Sequence, residues 1–240
     1  MGRSRLALSG VVFRTPAGPL EVGTRTIEGP GLLGVVGPTG GGKSTLLRCL
    51  AGVHPVASGC LAVELTPPRR RLVLQPPEWQ LVGATVAQVV GPGGRASLER
   101  LGVAHLEHHP PYQLSSGERR RVALAALLQS DAPLVLLDEP TAGVDEPARR
   151  VTYEILSELA AARLVVVASH DWVWLMKAVS RVLWMEGLRV VADAAPAAVA
   201  ERLTAGPELF AVVKALSARQ LPGSCWWDAD ELARDILAAR

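Results

Sequence analysis

Gly37-Pro38-Thr39-Gly40-Gly41-Gly42-Lys43-Ser44-Thr45 follows directly on the apolar run Leu32-Leu33-Gly34-Val35-Val36. The spacing Gly37-x4-Gly42-Lys43-Ser44 is that of a loop wrapped around phosphate. Glycines let backbone N–H groups turn onto β- and γ-phosphates at the start of a helix, an end that favours anions. Lys43 brings charge to the same oxygens, and Ser44 brings an oxygen to Mg²⁺. Every residue from Gly37 to Thr45 is thus a candidate for holding a nucleoside triphosphate. An apolar strand before the loop and a helix after it, Ser44 to Ala51 closed by Gly52, set it apart from a chance glycine-rich turn.

Outward from the loop, the pattern is strand–helix–strand. Leu134 to Leu137 and Leu164 to Ala168 are continuous apolar runs of strand length, as expected of strands buried on both faces. Glu146 to Ala162 between them reads as a helix, Arg71 to Leu74 as a short strand, and Glu118 to Gln129 as a helix that starts basic and turns alanine- and leucine-rich. Residues 5–36 read as short strands broken at Pro16-Ala17-Gly18-Pro19 and Gly29-Pro30-Gly31. Pro76-Pro77 and Gly91-Pro92-Gly93-Gly94 punctuate short helical pieces. From Ala194 on, two or three short helices are split by Gly206-Pro207 and Pro222-Gly223. Trp226-Trp227 in that tail reads as core anchors ahead of a subunit contact. The expectation is an α/β fold: a P-loop NTPase core with a mostly parallel sheet and flanking helices, an N-terminal antiparallel β subdomain, a short helical subdomain and a C-terminal helical tail.

With 240 residues the chain can build one large core. Its net charge of +2 gives no push toward nucleic acid. Although 49% of residues are hydrophobic, the apolar runs are far shorter than the ~20 residues of a membrane span. No apolar h-region follows the basic Met1-Gly2-Arg3-Ser4-Arg5, so no signal peptide is expected. Cys49, Cys60 and Cys225 are scattered, which fits a reducing compartment and no disulfide framework. His105, His108 and His109 precede Pro110-Pro111 in a loop with no nearby cysteine, and read as a solvent-exposed cluster rather than a metal site.

Val135-Leu136-Leu137-Asp138-Glu139 is a strand ending in two acids. Asp138 is placed to hold Mg²⁺, usually through water, and Glu139 to polarise the attacking water. Phosphoryl transfer needs positioned charge more than covalent help, so a carboxylate beside the metal suffices. Upstream of it stands Leu114-Ser115-Ser116-Gly117-Glu118.

In order and spacing these motifs resemble the ATP-binding subunits of ABC transporters over essentially the whole chain. The resemblance implies one domain over residues 1–240: a nucleotide-binding core at 1–75 and 131–190, a helical signature part at 76–130 and a tail at 191–240. It implies that ATP and Mg²⁺ are the cofactors, with Ser44, Gln75 and Asp138 as metal ligands and Glu139, His170, Gln75 and Lys43 as the catalytic group. His170 matches the family's γ-phosphate sensor, and Ala142-Gly143-Val144-Asp145 its inter-subunit loop. Ser115, Ser116 and Gly117 match the signature that reaches the ATP of a second subunit, with Ser116 where the family usually has glycine. Of Arg119-Arg120-Arg121, which follow, at least two are expected on a solvated face. The aromatic that usually stacks on adenine falls near Thr15, which cannot stack, and Phe13 alternates toward the core.

Leu74-Gln75-Pro76-Pro77-Glu78-Trp79-Gln80-Leu81, Thr141 to Asp145 and the tail Gly206 to Pro222 are similar to energy-coupling-factor transporters. That similarity implies a homo- or heterodimer of ATPase subunits on the cytoplasmic face of the membrane. Its partners would be a transmembrane coupling protein and a membrane protein that captures a vitamin, cobalt or nickel, with no nucleic acid. The alternatives are an ordinary ABC importer or exporter subunit, a regulatory half of a heterodimer, and a soluble ATPase acting on DNA or the ribosome. The last of these lacks support from any heptad run or second cassette.

Overall fold

A computed structural model describes residues 4–73, 81–170, 174–175, 178–196 and 198–199. In chain order the elements are β1 (Ser4–Thr15), β2 (Gly18–Gly29), β3 (Gly31–Val36), α1 (Lys43–Leu50), β4 (Val56–Leu65), β5 (Arg70–Val73), α2 (Val86–Val90), α3 (Arg95–Arg100), α4 (Ser116–Gln129), β6 (Leu134–Asp138), α5 (Glu146–Ala160), β7 (Leu164–Ala168), β8 (Arg181–Glu186) and β9 (Arg189–Ala194). Two single-turn 3₁₀ segments, Ala104–Leu106 and Pro111–Gln113, lead into α4.

All of these strands join one sheet, in the order β4-β1-β2-β9-β8-β3-β7-β6-β5. From β8 to β5 neighbouring strands are parallel. The β4-β1-β2 arm is antiparallel, and it is spliced to the parallel part by a parallel β2–β9 contact and the antiparallel β8–β9 hairpin. The antiparallel arm is therefore one end of a continuous curled sheet.

The apolar strands are buried on both faces, and the period of two sorts their side chains. Val36, Val135, Leu137, Val165 and Val167 face a core shared with α4 and α5. Leu33, Val35, Leu134, Leu136, Val166 and Ala168 face a second core shared with α1 and the antiparallel arm. Fully burying each of these valine and leucine side chains contributes roughly 1.5–3 kcal/mol. Cys49 lies in the second core, where burial pushes its thiol up to about 12.

Some details differ from the sequence reading. Residues 5–36 form two 12-residue strands and β3 rather than several short strands. The Pro16-Ala17 turn is only two residues long, and β1 passes through register shifts near Val11 and continues instead of ending. α4 starts at Ser116, ahead of Glu118, because Ser115 caps it. β9 carries the sheet past the expected boundary at 190. The tail beyond residue 200, Trp226-Trp227 included, lies outside the described residues, as does the Gln75 loop.

Candidate active site

The end of β3 delivers the glycine-rich loop. Gly37 has φ 147, and a Cβ there would lie 2.1 Å from the Met185 carbonyl oxygen, so only glycine fits. Gly42, at φ 102, caps α1 with no side-chain hydrogen bond. The first N–H groups of α1 are consequently left to an external acceptor. Lys43 Nζ donates to the carbonyls of Gly37 (3.0 Å) and Pro38 (3.1 Å), folding the ammonium over the loop. The loop is braced from beneath by the β8–β9 turn, where Leu188 N donates to Gly41 O at 3.2 Å.

Asp138 ends β6 and is 8% exposed. Burial pushes its carboxyl above the usual range; a hydrogen bond with the Ser44 side chain opposes the shift, and the charge of Glu139 adds to it. Among the described residues its Oδ1 has no hydrogen-bond partner. A buried carboxylate oxygen left unpaired beside a serine hydroxyl is a donor set suited to a hard cation such as Mg²⁺. The residues present therefore fit the metal.

Glu139 has φ 48, a left-handed conformation that a non-glycine residue holds only when its surroundings enforce it. Its N–H donates to Ala168 O at 2.8 Å, at the end of the neighbouring strand. One carboxylate oxygen, Oε2, accepts the His170 backbone N–H (3.1 Å) and lies 2.7 Å from His170 Nδ1. The Glu139 side chain is 14% exposed and that of His170 69%. The structure thus brings Lys43, Ser44, Asp138, Glu139 and His170 to the same ends of adjacent parallel strands. Gln75, expected beside them, lies outside the described residues.

Ser115, Ser116 and Gly117 are placed elsewhere, exposed at the N-terminus of α4. Among the described residues no hydrogen bond joins them to the glycine-rich loop. Ser115 and Glu118 form a complete capping box: Ser115 N and Oγ donate to Glu118 Oε2 (2.8 and 2.7 Å), and Glu118 N donates to Ser115 Oγ (3.3 Å). The Ser115 bonds hold the Glu118 carboxyl below its usual range.

Other placements refine the expectations. Phe13 is fully buried, and the Thr15 hydroxyl donates to Gly18 O at 2.6 Å, so neither presents a ring to a nucleobase. His105, His108 and His109 are exposed. Arg119, Arg120 and Arg121 are half-buried rather than solvated, because α4 packs on the sheet. Arg120 lines a small cavity with Leu137, Asp138, Glu139 and Pro140. No spacing signal in the sequence ties α4 to the end of β6, so this neighbour of the two acids was not legible. The hairpin under the loop had one signal, the Glu186-Gly187-Leu188 turn.

Residues 24–142 match the ABC transporter family model. The chain is 34% identical over 211 residues to a Geobacter sulfurreducens protein named as an ABC transporter ATP-binding protein, covering 78% of this chain and 79% of that one. It is 36% identical to a zinc import ATP-binding protein of Paracoccus denitrificans (69% and 68% covered). It is 35% identical to an energy-coupling factor transporter ATP-binding protein of Symbiobacterium thermophilum (65% and 64% covered). In fold it matches cbiO1 of Clostridium perfringens, part of the ABC transporter complex cbiONQ, with a TM-score of 0.67 at 23% identity over 87% of this chain and 98% of that one. Sequence relatives and fold agree: the chain belongs to the ABC transporter ATP-binding proteins, a family of ATPases.

Proposed function

We propose that this chain is the ATP-hydrolysing subunit of an energy-coupling-factor-type importer, working as a dimer in which each ATP lies between two subunits. The observation that carries this reading is the convergence of Ser44, Asp138 and Glu139 on the uncapped N-terminus of α1. The N–H groups of Gly40 and of Gly42 to Thr45 bind the phosphates, the Gly41 N–H being held by Pro38 O, and Lys43 exchanges its two loop carbonyls for phosphate oxygens. Ser44 and Asp138 would hold Mg²⁺, with Gln75 as a further ligand. When bound, the ion neutralises charge developing on the β- and γ-oxygens. Glu139 takes the proton of the attacking water. His170, hydrogen-bonded to the same carboxylate, fixes its direction and meets the γ-phosphate.

Ser115, Ser116 and Gly117 belong to the other half of the site. They face the partner subunit's γ-phosphate, which draws the two helical parts together. Closure moves a transmembrane coupling protein, and hydrolysis releases it. Among the described residues no helix is long and apolar enough to cross a membrane; in this reading the subunit acts through such a partner.

Glu139→Gln, in the complex reconstituted with its membrane partners, should lower ATP turnover about 10²- to 10⁴-fold while nucleotide binding persists. Turnover equal to that of the wild type would remove this chain from the catalytic role. The zinc import relative supports a second reading, an ordinary metal importer. Partners recovered from detergent-solubilised membranes decide between them: a substrate-capturing membrane protein supports the first reading, a soluble substrate-binding protein the second.

A further inference from the structure

The turn that joins β8 to β9 has a backbone suited to glycine at both central positions, yet it carries leucine at the second. Glu186 pairs with Arg189, so Gly187 and Leu188 alone make the loop, with φ 54 and 62. A two-residue hairpin loop with both φ values positive favours Asn-Gly, Asp-Gly or Gly-Gly, with glycine second in each. A leucine there is strained, and it persists only where its surroundings over-determine it.

Those surroundings are the glycine-rich loop on one side and the antiparallel arm on the other. Leu188 N donates to Gly41 O at 3.2 Å, and Leu188 O accepts the Glu21 N–H of β2 at 2.9 Å. Beside that second bond Arg189 is ion-paired with Glu21 at 2.6 Å. The half-buried isobutyl group of Leu188 lies between the two segments. A Cβ added at Gly42 would meet Leu188 Cδ2 at 3.0 Å and Leu188 Cα at 3.2 Å. One added at Gly18, where β2 begins, would meet Leu188 Cδ1 at 3.7 Å. One methyl therefore backs the residue that opens α1, and the other faces the β1–β2 turn.

The two backbone bonds need no side chain, and glycine would make them with less strain. What leucine alone supplies is the apolar wedge behind Gly42. Gly42, at φ 102, precedes the uncapped N–H groups of α1, and its position sets where those donors point. A glycine has the widest conformational freedom of any residue, so its position must be imposed from outside.

We infer that Leu188 is a positioning residue for the nucleotide: the turn keeps a strained leucine so that its isobutyl group holds Gly42, and with it the phosphate-facing N–H groups of α1, at a fixed distance from the antiparallel arm. This rests on the proposed function, in which the N–H groups of Gly40 and of Gly42 to Thr45 hold the phosphates.

Leu188→Gly tests it, because it relaxes the turn and removes the wedge together. In the isolated full chain the thermal midpoint should stay within about 3 °C of the wild type, relief of strain offsetting the lost contacts. Affinity for a fluorescent ATP analogue should fall roughly tenfold, the scale of two methyl contacts. Leu188→Met keeps an apolar side chain of similar volume and should bind within about twofold of the wild type. In the reconstituted complex Leu188→Gly should raise KM for ATP about tenfold and leave kcat within about twofold, because Asp138 and Glu139 are held by β6 and by Ala168 of β7. Wild-type affinity in Leu188→Gly, whatever its midpoint, would overturn the inference. So would a fall in kcat at unchanged KM, or a methionine variant that binds as weakly as the glycine one. Lys43→Ala in the same binding assay separates the two failures. If it loses affinity while Leu188→Gly keeps it, the loop holds phosphate and Leu188 only closes a hairpin; if it binds like the wild type, the reading of the loop falls and that of Leu188 with it.

Discussion

The two helix N-termini that the proposed mechanism points at phosphate, those of α1 and α4, are finished in opposite ways. α1 opens on Gly42 with no side-chain cap, and its loop is locked from below by the β8–β9 hairpin. α4 opens on Ser115 with a full capping box, exposed and closed by its own Glu118. The first end leaves its donors free and relies on glycines for its shape, as suits a site that holds phosphate within one subunit. The second satisfies itself and carries a carboxylate that repels phosphate. In the proposed closed dimer the Ser115 hydroxyl would donate to the partner's ATP only by giving up its bond to Glu118, which would build part of the cost of closure into α4. In the proposed mechanism one end is a finished receptor and the other a surface completed by assembly.

The strongest attempt to break this contrast is Gly37→Ala. The added methyl would sit 2.1 Å from the Met185 carbonyl oxygen, a backbone atom that cannot swing away. Overpacking of this kind costs about 1–3 kcal/mol, so nucleotide affinity of the isolated subunit should fall by up to about 100-fold. Equilibrium binding of a fluorescent ATP analogue measures this, and unchanged affinity would mean the loop is not the rigid receptor described. Ser115→Ala should do the reverse. Binding to the isolated subunit stays at the wild-type level, while turnover of the assembled complex falls roughly 10- to 100-fold through loss of one hydrogen bond to a charged group. Ser115→Asp keeps a capping oxygen but loses the proton donated to Glu118 and sets a second carboxylate against it, so it should lower the thermal midpoint and match the alanine variant in activity. Reduced ATP binding by isolated Ser115→Ala would erase the distinction between the two ends.

How much of this was legible in the sequence follows the same division. The glycine-rich loop is local: strand, glycines, lysine and helix are contiguous, and the acids at 138 and 139 end a strand whose apolar run announces itself. The edge strand β4 was missed because it is largely exposed, so Val56 to Cys60 show no alternation to read. The β8–β9 hairpin reaches Gly37 and Gly41 through contacts distant in sequence, which no spacing rule carries. The capping box was partly legible, since serine three residues before glutamate is its signature. Its consequence, that Glu118 already holds the Ser115 hydroxyl, needed the geometry. The left-handed backbone of Glu139 had no sequence signal at all.

A smaller effect should appear in stability. Burial raises the pKa of Asp138, so the folded chain holds that proton more tightly than the unfolded chain does. Its contribution to stability is then lost as pH rises through the interval above the ordinary aspartate value of about 3.9. In the metal-free protein at pH 7 the charged carboxylate is a net cost on the order of 1 kcal/mol, being buried with Oδ1 unpaired among the described residues. Asp138→Asn should therefore raise the melting midpoint of the metal-free subunit by about 2–4 °C at pH 7. The gain should disappear toward pH 4, and turnover should be lost at every pH. A lower midpoint at neutral pH would show that Asp138 is satisfied without a cation, which would weaken the assignment of the metal to the α1 end.

The smallest expected effect tests whether the α4 end is shaped by its own subunit or by the partner. Ser116 is the first residue of α4 and is exposed, and the next position is open too: a Cβ on Gly117 would find only Arg121 Nη1, at 4.0 Å. Within one subunit there is room for side chains at both positions, so any crowding by Ser116 must come from the second subunit. Ser116→Gly should accordingly change the melting midpoint of the isolated chain very little, by the roughly 0.5 kcal/mol difference in helix propensity. In the complex it should raise ATP turnover by up to about twofold, the scale of a few tenths of a kcal/mol in closure. Gly117→Ala is the counterpart: tolerated in the isolated chain for the same reason, and slowing the complex. If both variants turn over like the wild type in the complex, the space in front of α4 stays open even when two subunits meet, and the α4 end is not completed by its partner.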